Sequence, residues 1–190
     1  MEKSRPSFAF NNHYGVSMHS LNHILDVGTP FVIFEAYVSS YHEFIDFIKF
    51  GWGSALIDPE FESKKEICER FGIKPLLGGT FFEYMIHHHG FADFVKKIEQ
   101  YGLQCVELSR GTIDIDDSVY ASYIKQLSSD YYVMSEVGRK SSDPSQALAR
   151  SRWLARCELS ADAGACLVIR ESRESGRSGY VSTGGDVNAV

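Results

Sequence analysis

Short apolar runs rich in Val, Ile, Leu or Phe alternate along the chain with longer stretches of helical periodicity. The runs are residues 21–25, 44–50, 73–77, 104–108, 131–135 and 166–170, and each is followed by glycine and polar residues. Helices are predicted to begin near Phe31, Pro59, Phe81, Asp116 and Asp143. The segment from Phe91 to Gly102 places Phe91, Phe94, Val95 and Ile98 on one helical face. Lys96, Lys97 and Glu99 fall on the other, and Gly102 supplies a C-terminal stop. The segment from Pro59 to Gly72 repeats the pattern, with Asp58 as the expected N-cap and Gly72 as the stop. The strands read as continuous apolar runs rather than strict alternation, which suits parallel strands covered on both faces.

The rhythm is regular. Gly78, Glu107 and Glu136 each sit just past a predicted strand and are spaced by 29 residues. A repeat of this size is one strand plus one helix, and strands alternating with helices imply a parallel sheet. Periodicity alone leaves open whether six such strands curl into a barrel or form an open doubly wound sheet.

The 190 residues suffice for one sizeable core and are too few for two comfortable domains. We expect a lead segment over residues 1–20 and a single domain over 21–190. A net charge of −6 argues against a general nucleic-acid binder, while a few local cations still allow an anionic small molecule. The four cysteines form no CxxC pair and have no histidine at zinc-site spacing, so free thiols of a reducing compartment are expected. The N-terminus lacks the apolar core of a signal peptide, and no stretch approaches the roughly 20 apolar residues of a membrane span. The expected location is the cytoplasm, with no membrane partner.

Parallel α/β proteins place their sites on the loops after the strands. Three successive predicted strands end in glutamate: Glu107, Glu136 and Glu171. Three carboxylates in one mouth repel unless protonated or bound to a cation, and hard oxygen ligands suit Mg²⁺. The alternative is that each glutamate pairs with a nearby lysine or arginine. Lys49, Arg139, Lys140 and Arg173 are expected to ring the same mouth and together favour an anionic ligand. Gly51, Gly53, Gly78 and Gly79 permit close approach of backbone N–H groups to an anion. No GxGxxG or GxxxxGK[ST] element occurs, so a classical nucleotide site has no support. His87, His88 and His89 are consecutive and point in different directions on a helix, so an exposed helix end is expected rather than a metal cluster.

Taken in order, these loop elements resemble the phosphosulfolactate synthase family. Its members carry an Asp-Lys-Gly element, then Lys-Phe-Gly-Trp-Gly-Thr, Gly-Gly-Thr-Leu-Phe-Glu, Glu-Ile-Ser-Asp-Gly, Glu-Val-Gly-Lys-Lys and Glu-x-Arg-Glu-Ser-Gly. The counterparts here run from Asp26 to Gly176, with Lys49–Gly53, Gly78–Thr80, Glu136–Gly138 and Arg173–Gly176 matching closely. Val27 stands where the family has lysine, Arg110 where it has aspartate, and Arg139 where it has the first lysine of the Lys-Lys pair.

The resemblance implies a TIM-like (β/α) barrel, here truncated to about six parallel strands where a full barrel has eight. It implies Mg²⁺-dependent addition of sulfite to phosphoenolpyruvate. By carry-over, Glu107, Glu136 and Glu171 are the metal-side candidates and Lys140 is the acid. Lys49, Gly78, Gly79, Arg139 and Arg173 would hold substrate anions. A missing closure leaves an open strand edge, so a homo-oligomer is expected. The competing readings are a related enzyme adding another nucleophile to an enol phosphate, a non-catalytic stress-associated family member, and an inactive truncated product.

Overall fold

The computed structural model describes residues 21–138 and 148–170. Six strands form one sheet: β1 (His23–Asp26), β2 (Phe47–Phe50), β3 (Lys74–Leu77), β4 (Cys105–Leu108), β5 (Tyr132–Val137) and β6 (Leu167–Arg170). Every neighbouring pair is parallel and the spatial order is the chain order. Such sequential order requires each connection to cross in the same sense, and the twisted sheet curls into a half-barrel. The helices are α1 (Phe31–Tyr41), α2 (Phe61–Arg70), α3 (Gly79–His88), α4 (Phe91–Gln100), α5 (Asp117–Leu127) and α6 (Arg150–Asp162).

Alternate strand residues serve two cores. Ile48, Phe50, Leu77, Val106, Leu108 and Val133 pack outward with Phe34, Phe61, Phe82, Phe94, Tyr120 and Ile124 of the helices. Phe47, Leu76, Cys105, Tyr132 and Met134 form a smaller cluster on the other face. This accounts for the continuous apolar runs: both faces are covered, so neither parity needs to be polar.

Several boundaries differ from the sequence expectation. Phe44 lies in a 3₁₀ turn, and the second strand starts three residues later, at Phe47. Asp58 does not cap α2. Its Oδ1 accepts the Glu60 N–H at 2.9 Å and its Oδ2 pairs with Lys64 at 2.6 Å, so the helix begins only at Phe61. The expected stops hold, with Gly72 and Gly102 at φ 74° and 63°, a region that penalises any Cβ. α3 begins at Gly79 rather than Phe81, which brings the glycine's N–H to the helix N-terminus. The expected helix start at Asp143 lies outside the described residues, and described α6 begins at Arg150.

Candidate active site

The inward-facing side of β2 carries Phe47 and Lys49, that of β4 carries Cys105 and Glu107, and that of β5 carries Tyr132, Met134 and Glu136. Lys49 is in register with Leu76, and Leu76 with Cys105. Glu107 therefore stands two residues higher than Lys49, toward the C-terminal edge of the sheet. Glu107 is in turn level with Met134, so Glu136 is two residues higher again. Two residues of strand rise about 6.6 Å. The charged positions thus climb toward the mouth from β2 to β5. Glu107 and Glu136 lie inside their strands, not past them as expected, and Lys49 belongs to β2 rather than to the loop after it.

Lys49 crosses the sheet to reach Glu107. Its Nζ lies 3.0 Å from Oε2 and 3.2 Å from Oε1 of the buried carboxylate. Between them β3 is followed directly by Gly78, where an added Cβ would stand 3.1 Å from Lys49 Cδ. The bare glycine is the passage for the lysine stem. The next residue completes the arrangement: Gly79 donates its N–H to Glu107 Oε1 at 2.7 Å. A Cβ on Gly79 would meet Ser109 Oγ at 2.4 Å and Glu136 Oε2 at 3.1 Å. Gly79 is therefore the point at which β4 and β5 bring Glu107, Ser109 and Glu136 together.

The loop after β4 is fastened by a residue not singled out in the sequence. Glu83 is 2 % exposed, on the α3 face otherwise formed by Phe81, Phe82 and Met85. Its carboxylate accepts the N–H groups of Gly111 at 3.0 Å and Thr112 at 2.8 Å. It also accepts the hydroxyls of Ser109 and Thr112. A carboxylate among apolar helix positions is the signal that marks it, because a buried charge requires such donors. On the other side, Asp26 ends β1. It accepts the Thr29 N–H at 2.9 Å and pairs with the fully buried Lys64 at 3.1 Å. Burial by itself would lower the Lys64 pKa, but its hydrogen bonds to Asp58 and Asp26 outweigh this and hold it above the ordinary value.

His23 enters the same inner face at the foot of β1, edge-on to Phe47. Burial, reinforced by the Lys49 charge and opposed by Glu107, keeps its imidazole below the usual pKa. Arg110 does not serve the mouth. Its guanidinium lies 4.3 Å over the Tyr120 ring, donates to the Ile115 carbonyl at 3.1 Å and pairs with Asp117. Tyr120 donates its hydroxyl to the Leu108 carbonyl at 2.9 Å, and burial raises its phenol. Val27 is 45 % exposed, beside Gly51. His87, His88 and His89 are exposed at the end of α3. Arg139, Lys140, Glu171 and Arg173 lie outside the described residues.

Mg²⁺ is commonly held by one or two protein carboxylates together with substrate phosphate oxygens. Glu107 and Glu136 are carboxylates of this kind on the inner face, and Lys49 and the Gly79 N–H engage the oxygens of Glu107. No group of three His, Cys, Asp or Glu side chains among the described residues converges as a complete metal site.

A family model described as (2R)-phospho-3-sulfolactate synthase (ComA) matches residues 17–189. The chain belongs to this family. It is 33% identical over 164 residues to the phosphosulfolactate synthase of Bacillus subtilis, covering 86% of this chain and 65% of that protein. It is 36% identical over 172 residues to the phosphosulfolactate synthase of Methanocaldococcus jannaschii, covering 89% and 68%. The chain thus spans about two thirds of the length of these relatives. Among solved structures, 2,3-dimethylmalate lyase, a PEP mutase/isocitrate lyase superfamily member, superposes with a TM-score of 0.50 at 12% identity. That superposition covers 80% of this chain and 58% of the other, and it speaks for the fold alone.

Proposed function

We propose that this chain is a Mg²⁺-dependent phosphosulfolactate synthase, adding sulfite to phosphoenolpyruvate. The observation that carries the reading is the Lys49–Glu107 pair, which sets a fixed cation at the mouth of a parallel sheet. The Gly79 N–H is taken by Glu107 and the Gly78 N–H by the Phe50 carbonyl, so the glycines serve to make room rather than to bind the anion. A fixed cation suits a substrate that carries both a phosphate and a carboxylate.

The reaction is an addition without a leaving group. The sulfur lone pair of sulfite attacks the methylene carbon, forming the C–S bond. The π electrons of the C=C bond move onto the carboxylate as an enolate. A proton delivered to the phosphate-bearing carbon restores the carboxylate and gives phosphosulfolactate. Lys49, held against Glu107, lies against the anion as charge builds on the carboxylate. Lys140 supplies the proton, and Arg139 and Arg173 complete the anion contacts. A Mg²⁺ ion held by Glu136 and Glu171 would stabilise the enolate charge as a Lewis acid. Glu107 serves chiefly to orient Lys49.

The net charge of −6 argues against nucleic acid as a partner, and local cations such as Lys49 allow a small anion. No described helix is long and apolar enough to cross a membrane. We read the protein as cytoplasmic and, from the exposed Val32, Tyr37, Tyr41 and Phe44 near the β1 edge, as a homo-oligomer.

The test is sulfite-dependent loss of phosphoenolpyruvate with Mg²⁺, with and without a chelator. Lys140→Ala should lower turnover by about 10² or more while phosphoenolpyruvate binding falls less. No sulfite-dependent reaction in the wild type, under conditions where phosphoenolpyruvate binds, would point to another nucleophile. Val27, where the family carries lysine, is the residue that favours this second reading.

A further inference from the structure

Trp52 is the only non-glycine at positive φ among the described residues, at 53°. It occupies a tight turn closed by the Ser54 N–H donating to the Gly51 carbonyl at 2.9 Å. Its neighbour Gly53 has φ 73° and ψ 14°, so both central residues are left-handed, as in a type I′ turn. That turn favours Asn-Gly or Gly-Gly at its centre, because a Cβ in the left-handed region is penalised. A tryptophan there is a poor local choice, and it is not offset by burial: the side chain is 74 % exposed. Strain of this kind persists where the surroundings impose it, and it clusters at ligand-binding positions.

The turn stands at the mouth. Gly51 donates its N–H to the Asp26 carbonyl at 2.7 Å, pinning the turn to the end of β1. The Gly51 Cα lies 3.5 Å from where a Gly78 Cβ would stand, beside the passage used by Lys49. An exposed indole at this point has an apolar face and one N–H donor, a combination suited to a small planar anion with one ionic and one olefinic side.

Resting on the reading of the site given above, we infer that Trp52 is a substrate-contacting residue whose indole covers the enol group of an anion held at Lys49. The strained turn keeps the ring at the mouth before substrate arrives.

The role is tested with Trp52→Gly, Trp52→Asn and Trp52→Phe, each titrated calorimetrically with phosphoenolpyruvate. Glycine and asparagine relieve the left-handed backbone, so both should raise the melting temperature, by about 2–4 °C in a chain of this size. Both should weaken phosphoenolpyruvate binding about tenfold or more, as loss of a central tryptophan does elsewhere. Phenylalanine keeps the strain and an aromatic face, so it should leave the melting temperature near the wild-type value and recover part of the affinity. Equal binding in Trp52→Gly and wild type overturns the inference while leaving the synthase reading intact. A loss of stability together with affinity also overturns it, by assigning Trp52 a merely structural role. A wild-type protein that binds no phosphoenolpyruvate overturns the inference and the synthase reading together.

Discussion

Lys49 and Glu107 are 58 residues apart and on strands that are not neighbours, yet their charged groups meet at 3.0 Å. The strand between them is followed directly by Gly78, and the lysine stem crosses there. Gly78→Val should therefore block the passage and displace Lys49 while leaving the outer core untouched. Phosphoenolpyruvate affinity is expected to drop about tenfold, the scale of one lost charge-assisted contact. Calorimetric titration beside an unchanged far-ultraviolet circular dichroism spectrum checks this, and unaltered affinity would show that Lys49 does not hold the anion.

Gly79→Ala should act on the fold itself. Its Cβ would lie 2.4 Å from Ser109 Oγ and 2.6 Å from Ser109 Cβ, and backbone or side chain must shift. A destabilisation of about 1–3 kcal/mol is expected. In a Ser109→Gly background most of that cost should vanish, and urea unfolding of the four proteins of the cycle measures the coupling.

Glu83→Gln retains the shape of the side chain but replaces one acceptor oxygen with a donor. Among the described residues, donors converging on this carboxylate include the Gly111 and Thr112 N–H groups and the Ser109 and Thr112 hydroxyls. At least one must be left facing another donor, which costs about 1–3 kcal/mol when buried. The variant should show faster hydrogen exchange at the amides of Gly111 and Thr112 than at those of β4. Uniform exchange across both segments would mean that Glu83 does not fasten the loop.

Lys64 is buried between Asp26 and Asp58, and removing it strands two carboxylates. Lys64→Met should lose about 3–5 kcal/mol near neutral pH. The folded-state pKa of Lys64 is raised, so the unfolded chain releases the proton first as pH rises. The stabilisation is whole below the unfolded lysine value of about 10.4 and fades as pH climbs through the higher folded value. Thermal melts from pH 8 upward should show this alkaline loss in the wild type and a flatter profile in Lys64→Met.

The order of elements was legible along the chain because each βα unit buries its own apolar run, and a local run needs no partner to be recognised. Glycine stops at Gly72 and Gly102 were legible for the same reason, as their left-handed backbone is a local requirement. Asp58 reads locally as a cap, but its preference for helix starts competes with the Lys64 ammonium, which folding places against it. Glu83 was overlooked because its donors arrive from a loop 26 to 29 residues further along.

By itself the sequence determined the parallel α/β architecture, the family, and the presence of Lys49, Gly78, Gly79, Glu107 and Glu136 near the ends of strands. It left open whether the glutamates share a cation or pair with basic side chains. Tertiary structure decided only that Glu107 meets Lys49. The reason is geometric: parallel register places Glu107 two residues above Lys49, and a bare glycine directly after the intervening strand lets a lysine span the gap. Strand stagger and the absence of a Cβ act between segments far apart in the chain. No local pattern records which side chain will occupy the space that they leave.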